Sequence, residues 1–213
     1  GVGRLPEPEA IVEWLESKMF STNELEGTTI LVTAGGTQEN IDPVRYIGNR
    51  SSGKMGYAIA DQAARMGAQV ILVSAPTSLP VPSGVDFVSV DSALSMQEAV
   101  EARYNDVNVV IMAAAVSDFR ALHKAEQKIK KMESMTIELV KNPDILQGLG
   151  SKKSHQVLVG FAAETEHVIK YGQDKVARKN LDMLVANDVS KSNAGFNVDT
   201  NEGYFLYPDK EPK

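Results

Sequence analysis

The 213-residue sequence predicts an α/β fold around a doubly wound, mainly parallel sheet. Three observations carry the prediction. The runs TTILVT, AQVILV and VNVVIM are apolar without alternation, so both faces of each strand must be covered. Stretches of helical period stand between such runs, the order that builds βαβ units. A hydrophobic content of 43% against 23% charged residues supplies a core large enough to bury them.

The elements follow in chain order. Pro6 and Pro8 open a short helix in which Ile11, Leu15 and Met19 recur every four residues, so residues 1–26 read as a linker or helix ahead of a domain spanning 27–213. TTILVT is a buried strand that stops at Ala34-Gly35-Gly36. The stretch from Thr37 to Asn49, which carries Pro43, reads as irregular. A helix follows from Ser51 or Ser52, with Met55, Ile59 and Ala63 in register and Gly67 closing it. AQVILVSAP and VDFVSV are the second and third strands, SALSMQEAVEARY is a helix, and VNVVIMAAAVSD is a fourth strand ending at Asp118.

From His123 to Ser134 the chain holds four lysines and little apolar content, which predicts an exposed, mobile loop. MTIELV reads as a strand, KNPDILQGL as a helix opened at Asn142-Pro143, and QVLVGFAAET as a strand ending near Phe161. TEHVIKYGQDKVARKN is a helix with a core stripe of Ile169, Gly172 and Val176. MLVAND is a strand, and NVDTNEGYFLY a hairpin around Asn201 that forms a C-terminal β extension, expected to serve subunit contacts in a dimer. Right-handed crossovers make this a Rossmann-like sheet, in which ligands bind at the carboxyl ends of the strands. Those ends are Thr33 to Thr37 and Ala113 to Asp118, so two separate pieces of sequence converge on one crevice.

Composition excludes several classes. A net charge of −6 argues against broad nucleic-acid or anionic-membrane binding. Without cysteine there is no disulfide, thiolate ligand or cysteine nucleophile, and nothing points to an oxidising compartment. His123, His155 and His167 lack zinc-site spacing. No run approaches the ~20 apolar residues of a membrane span and no signal peptide is visible, so the expected location is cytoplasmic. The opening GVGRLPEP lacks a methionine, as in a fragment of a longer polypeptide or a tag remnant.

The stretch GNRSSGKM, residues 48–55, is one letter short of the phosphate loop G-x-x-x-x-G-K-[ST]. The preceding DPVRYI is too short and polar for a central strand, and Met55 stands where a metal-binding hydroxyl is needed. The underlying physics survives. Ser51, Ser52 and Gly53 lie at a helix start, where unpaired N–H groups and the positive dipole end attract an anion, and Lys54 adds charge. Plain capping by either serine is the alternative. Gly35 and Gly36 offer a second backbone-amide cradle, although tight turns need glycine anyway.

Six segments in order, TAGGTQENIDPVRYIGNRSSGKMG, AAAVSDF, KIKK, KNPDIL, GFAAET and KVARKNLDMLVAND, closely resemble phosphopantothenoylcysteine synthetase, the bacterial form usually fused behind a decarboxylase. The resemblance runs from about Thr28 to about Phe205, and GRLPEP resembles the junction between the two fused halves. Gly48 departs from the serine or threonine usual in relatives, and His123-Lys124 falls in a variable part of the flap.

The resemblance implies a Rossmann-like, dimeric, Mg²⁺-dependent ligase of coenzyme A synthesis. 4′-Phosphopantothenate is activated by CTP to an acyl-cytidylate with loss of pyrophosphate. L-cysteine then attacks, releasing CMP. KIKK and NPDI match relatives that take CTP rather than ATP.

Residue roles carry over on the same footing. Lys128 matches a triphosphate-contacting lysine on a flap, and Lys175 and Lys179, four apart on one helix face, match nucleotide-binding lysines. Ala113, Ala114 and Asp118 fall in the nucleotide region, Ala114, Ala115 and Asp118 also in the phosphopantothenate region. Pro143, Asp144, Ile145 and Leu146 match the base-binding segment, and Phe161 the residue against the nucleoside. Asn49 matches the residue tied to the second half-reaction, and Arg45 an arginine reaching the substrate of the neighbouring subunit. The metal ligands are unassigned.

Each residue also has a plainer reading: a solvated charge run for Lys128, a surface stripe for the lysine pair, tight packing for the alanines, core for Phe161. Two other functions compete. A dinucleotide-dependent reductase requires G-x-G-x-x-G after the first strand, which VTAGGTQEN does not supply. A non-catalytic nucleotide-binding module would have no use for Asn49 and the convergent lysines.

Overall fold

The computed structural model describes residues 22–164, 167–188 and 203–213. The strands of its central sheet are β1 (Thr29–Ala34), β4 (Gln69–Ser74), β5 (Val85–Ser89), β6 (Val109–Met112), β9 (Val157–Glu164), β10 (Met183–Asp188) and β11 (Gly203–Leu206). They lie in the order β11-β10-β9-β6-β1-β4-β5. All neighbours pair in parallel except β10 and β11. From β1 the chain steps outward to β4 and β5, then returns to β6 on the other side of β1 and steps the opposite way. This is the doubly wound order, with its reversal between β1 and β6.

Two cores explain the unalternating strands. On one face Ile30, Val32, Val70 and Leu72 pack against Tyr57, Ala60 and Ala63 of α1 (Lys54–Arg65). On the other, Leu31, Val73, Val110 and Leu158 meet Met96 and Val100 of α2 (Ala93–Glu101), Leu149 of α3 (Ile145–Lys152) and Val176 of α4 (Val168–Arg178). Burying each such leucine is worth about 2 kcal/mol.

The structure corrects several expectations. The buried face of α1 is Gly56, Tyr57, Ala60 and Ala63; Met55 and Ile59 are only half-buried beside it. The small residues win because α1 lies close on β1, where a Cβ on Gly56 would come 2.6 Å from the Ala34 Cβ. In α4, Gly172 and Val176 are buried but Ile169 is exposed, because the helix meets the sheet edge near Leu206 through Gly172.

The fourth strand stops at Met112, since the backbone beyond it turns to bond the tip of β1: Ala114 N donates to Thr33 Oγ1 (3.1 Å) and Ala115 N to Gly35 O (2.8 Å). Most of MTIELV is not a strand. Only its end enters β8 (Leu139–Lys141), which pairs with β7 (Phe119–Ala121) outside the main sheet.

The segment expected to be irregular contains a hairpin, β2 (Gln38–Asn40) with β3 (Tyr46–Gly48). Its turn is closed by Asp42, whose Oδ1 accepts from Val44 N and Arg45 N, both at 2.8 Å. β9 continues past Phe161 to Glu164. β11 closes the sheet edge as the expected C-terminal extension, and its outer side is met by Lys213, which exchanges two backbone hydrogen bonds with Phe205 (2.9 and 3.1 Å). The predicted N-terminal helix and the Asn201 turn lie outside the described residues.

Candidate functional site

A cleft of about 880 Å³ opens at the carboxyl ends of the parallel strands, at the reversal between β1 and β6. Its walls come from distant parts of the chain. Asn49 and residues 51–56 form one side, Ala113–Val116 and Asp118 the floor, and Phe161 with Lys175 the opposite side. Of the two regions the strand ends predict, the Ala113–Asp118 stretch supplies wall residues and Thr33–Thr37 does not; the rest of the wall comes from the start of α1, from β9 and from α4.

The α1 side is built by glycine. Gly53 holds the left-handed conformation (φ 78°) that turns the chain into the helix, and its missing side chain leaves room for Thr77 Cγ2, 2.6 Å from where a Cβ would stand. Ser51 Oγ accepts from Gly53 N (3.3 Å) and Ser52 Oγ from Lys54 N (3.4 Å), but the N-cap is Gly53 and no side chain caps the helix, so neither serine is the cap that the plainer reading expects. The first turn carries no acidic side chain and faces the cleft, which leaves the positive end of the dipole toward a ligand. Gly35 and Gly36 are not on the cleft wall. They allow close backbone approach instead: a Cβ would meet Ala75 O at 2.6 Å from Gly35, and Asn49 O at 2.8 Å from Gly36.

On the floor, Asn49 Nδ2 donates to Val116 O (3.1 Å). Asp118 is exposed, but its backbone is anchored. Asn142 N donates to Asp118 O (2.7 Å) and buried Asn142 sends Nδ2 to Ser117 O (2.8 Å), while Ser117 N bonds Thr37 Oγ1 (2.9 Å). The small side chains of Ala113, Ala114 and Ala115 line the space between.

Other predicted residues stand apart from the wall. Lys175 lines the cleft, but Lys179 caps the end of α4 and pairs with Asp144 at 2.8 Å. Asp144 is the N-cap of α3, accepting from Gln147 N (3.0 Å). Burial pushes its carboxyl up, but the Lys179 ammonium and the Gln147 amide outweigh this and hold it below the ordinary carboxylate range. Ile145 and Leu146 are core residues and Pro143 is half-buried beside them, so this segment can offer a ligand backbone groups only. Lys128 is exposed in its loop, away from the wall, and Arg45 is engaged within the chain, with Asp42 (2.9 Å) and Ile129 O (2.6 Å).

Sequence reasoning missed part of the wall. Leu79, Pro80, Val81 and Pro82 close one side, Asn187 contributes from β10, and α1 adds Tyr57 and the Asp61–Arg65 ion pair (2.9 Å). The signal for the first was present: APTSLPVPSG joins two parallel strands with three prolines and no helical period. Among the described residues no three acids, histidines or cysteines gather as a metal site, and no helix is long and apolar enough to cross a membrane.

Fold and cleft together define a doubly wound α/β domain with a crevice at its topological switch point, the place where such sheets bind ligands, and a helix start facing it. The chain belongs to the DNA/pantothenate metabolism flavoprotein C-terminal domain family, whose profile matches residues 25–213. It is 49% identical over 213 residues to the coenzyme A biosynthesis bifunctional protein CoaBC of Bacillus subtilis, covering 98% of this chain and 52% of that protein. To the CoaBC of Escherichia coli K12 it is 48% identical over 214 residues, covering 98% and 53%. The chain thus spans about half the length of these curated relatives. The crystal structure of a CoaBC C-terminal domain superposes with a TM-score of 0.77 at 46% identity, over 90% of this chain and 87% of that one.

Proposed function

We propose that this chain is the ligase half of coenzyme A synthesis that joins 4′-phosphopantothenate to L-cysteine through an acyl-cytidylate made from CTP. The observation that carries the reading is that Asn49, Asp118, Phe161 and Lys175, four residues singled out for one reaction, share one cleft. Relatives named for coenzyme A biosynthesis support the pathway, and their greater length supports a decarboxylase partner domain.

In this reading the substrate carboxylate attacks the α-phosphorus of CTP and pyrophosphate leaves. The cysteine amine then attacks the acyl carbonyl and CMP leaves. Neither step needs a side-chain nucleophile; positioning and charge neutralisation suffice. Lys175 neutralises phosphate charge from the wall, Lys128 from its loop, and Phe161 lies against the nucleoside. The start of α3 presents backbone groups to the base, held to α4 by the Asp144–Lys179 pair. Asn49 exchanges the Val116 carbonyl for the acyl oxygen as charge develops there. Magnesium, when bound with the triphosphate, supplies further neutralisation. Of the two wall carboxylates Asp61 is paired with Arg65, so Asp118 is the one that would hold the ion.

A second copy of the chain belongs to this reading. β2 packs beside β7, and this neighbourhood exposes Val44 (62%), Tyr46 (53%) and Phe119 (49%) next to Arg45, whose guanidinium is held by Asp42 and Ile129 O within its own chain and so marks the face rather than reaching across it. That face suits a homodimer contact better than β11, whose outer side is met by Lys213. Sedimentation equilibrium should read twice the monomer mass, and a lone monomer that turns over would reject the shared site.

The deciding experiment incubates the protein with CTP, magnesium and phosphopantothenate and measures pyrophosphate before cysteine is added. The ligase releases it. A reductase or an inert nucleotide-binding module releases none, and that result would remove the reading.

A further inference from the structure

Asp42 is fully buried, yet the hairpin turn it closes uses only one of its oxygens. The other, Oδ2, accepts from Ile129 N (3.2 Å), 87 residues away, and pairs with Arg45 Nη2 (2.9 Å). The Arg45 guanidinium in turn donates to Ile129 O (2.6 Å), so one residue of the lysine loop is gripped at both its N–H and its carbonyl. A third tether runs from Ala125 N to Ile41 O (2.9 Å). The loop expected to be mobile is therefore fastened one residue beyond Lys128. The hairpin that holds it runs through β3 directly into Asn49 on the cleft wall.

We infer that Asp42 is a positioning residue, a buried latch that sets the loop bearing Lys128 against the hairpin bearing Asn49. The inference rests on the ligase reading for what Lys128 does, but the latch itself is independent of it. Fastening matters because four lysines in twelve residues repel one another, and a loop left open must be ordered again each time a nucleotide binds. A carboxylate suits the task since it accepts from both amide sets and cancels the Arg45 charge. Hydrogen bonds to a charged group are also the stronger kind.

Asp42→Asn separates the two duties. The amide oxygen can still close the turn, whereas its NH₂ faces the Ile129 N–H and Arg45 as donor against donor. In the folded full chain, tryptic cleavage after Lys128, Lys130 or Lys131, mapped by mass spectrometry, should rise on the order of tenfold. The KM for CTP in pyrophosphate release should rise by a similar factor, with a smaller change in kcat. Because Asp42 acts through Lys128, Asp42→Asn with Lys128→Gln should be no worse than Lys128→Gln alone.

Unchanged loop cleavage in a folded Asp42→Asn protein overturns the latch, and so do fully additive losses in the double variant. If Asp42→Asn does not fold, Arg45→Gln, which removes the guanidinium donor to Ile129 O while the Asp42 turn bonds remain, must raise the same cleavages, and its failure to do so overturns the latch equally. A wild-type protein that releases no pyrophosphate sinks the ligase reading instead, while the cleavage comparison still decides the latch.

Discussion

Asn49 holds a backbone carbonyl at the junction of two cleft walls, with its amide nitrogen 3.1 Å from Val116 O. A neutral donor there can follow charge developing on an acyl oxygen without carrying charge of its own. Asn49→Asp replaces the donor by a repelling carboxylate. The variant should still release pyrophosphate, while product formation after cysteine addition falls on the order of 100-fold, the usual cost of losing one such donor. Normal cysteine-dependent turnover would remove Asn49 from the second step. At this scale the sequence was readable at the helix start, where Gly53 stands; Asp118 and Phe161 also line the cleft, although Asp118 lies beyond the end of β6 and Phe161 inside β9 rather than at strand ends. Asp42 and Arg65 were not readable, because their significance lies in contacts that sequence spacing does not encode.

Among elements, α1 shows how packing overrode a plausible pattern. Met55, Ile59 and Ala63 satisfy helical spacing, but the helix turns Gly56, Tyr57, Ala60 and Ala63 inward so that it can approach β1 closely. Gly56→Ala would place a methyl 2.6 Å from Ala34 Cβ and 2.8 Å from Thr33 O. Urea denaturation should show a loss of about 1–3 kcal/mol, the ordinary cost of overpacking. A variant as stable as the wild type would show that α1 is not held at this distance. Central strands were legible from their apolar runs. The small sheets β2–β3 and β7–β8 were not: strands of three residues carry too little period, and β2–β3 owes its turn to the Asp42 side chain rather than to a hairpin dipeptide. The fourth strand was overextended because AAAV reads as apolar strand, whereas those small residues line a cleft.

For the whole molecule, one half of the sheet supplies the helix start and the other supplies Phe161 and Lys175, with the cleft where the winding reverses. That location followed from strand order, which the alternation of strands and helices made readable. The proline-rich wall did not, since a loop replaces the helix usual between β4 and β5. The central claim is that this cleft is where the nucleotide and the acid meet. A crystal structure of the full chain with CTP and magnesium tests it most directly: the base should lie against Phe161 and the triphosphate within reach of Lys175. Nucleotide bound elsewhere, with the cleft beside Asn49 and Asp118 left to solvent, would contradict it.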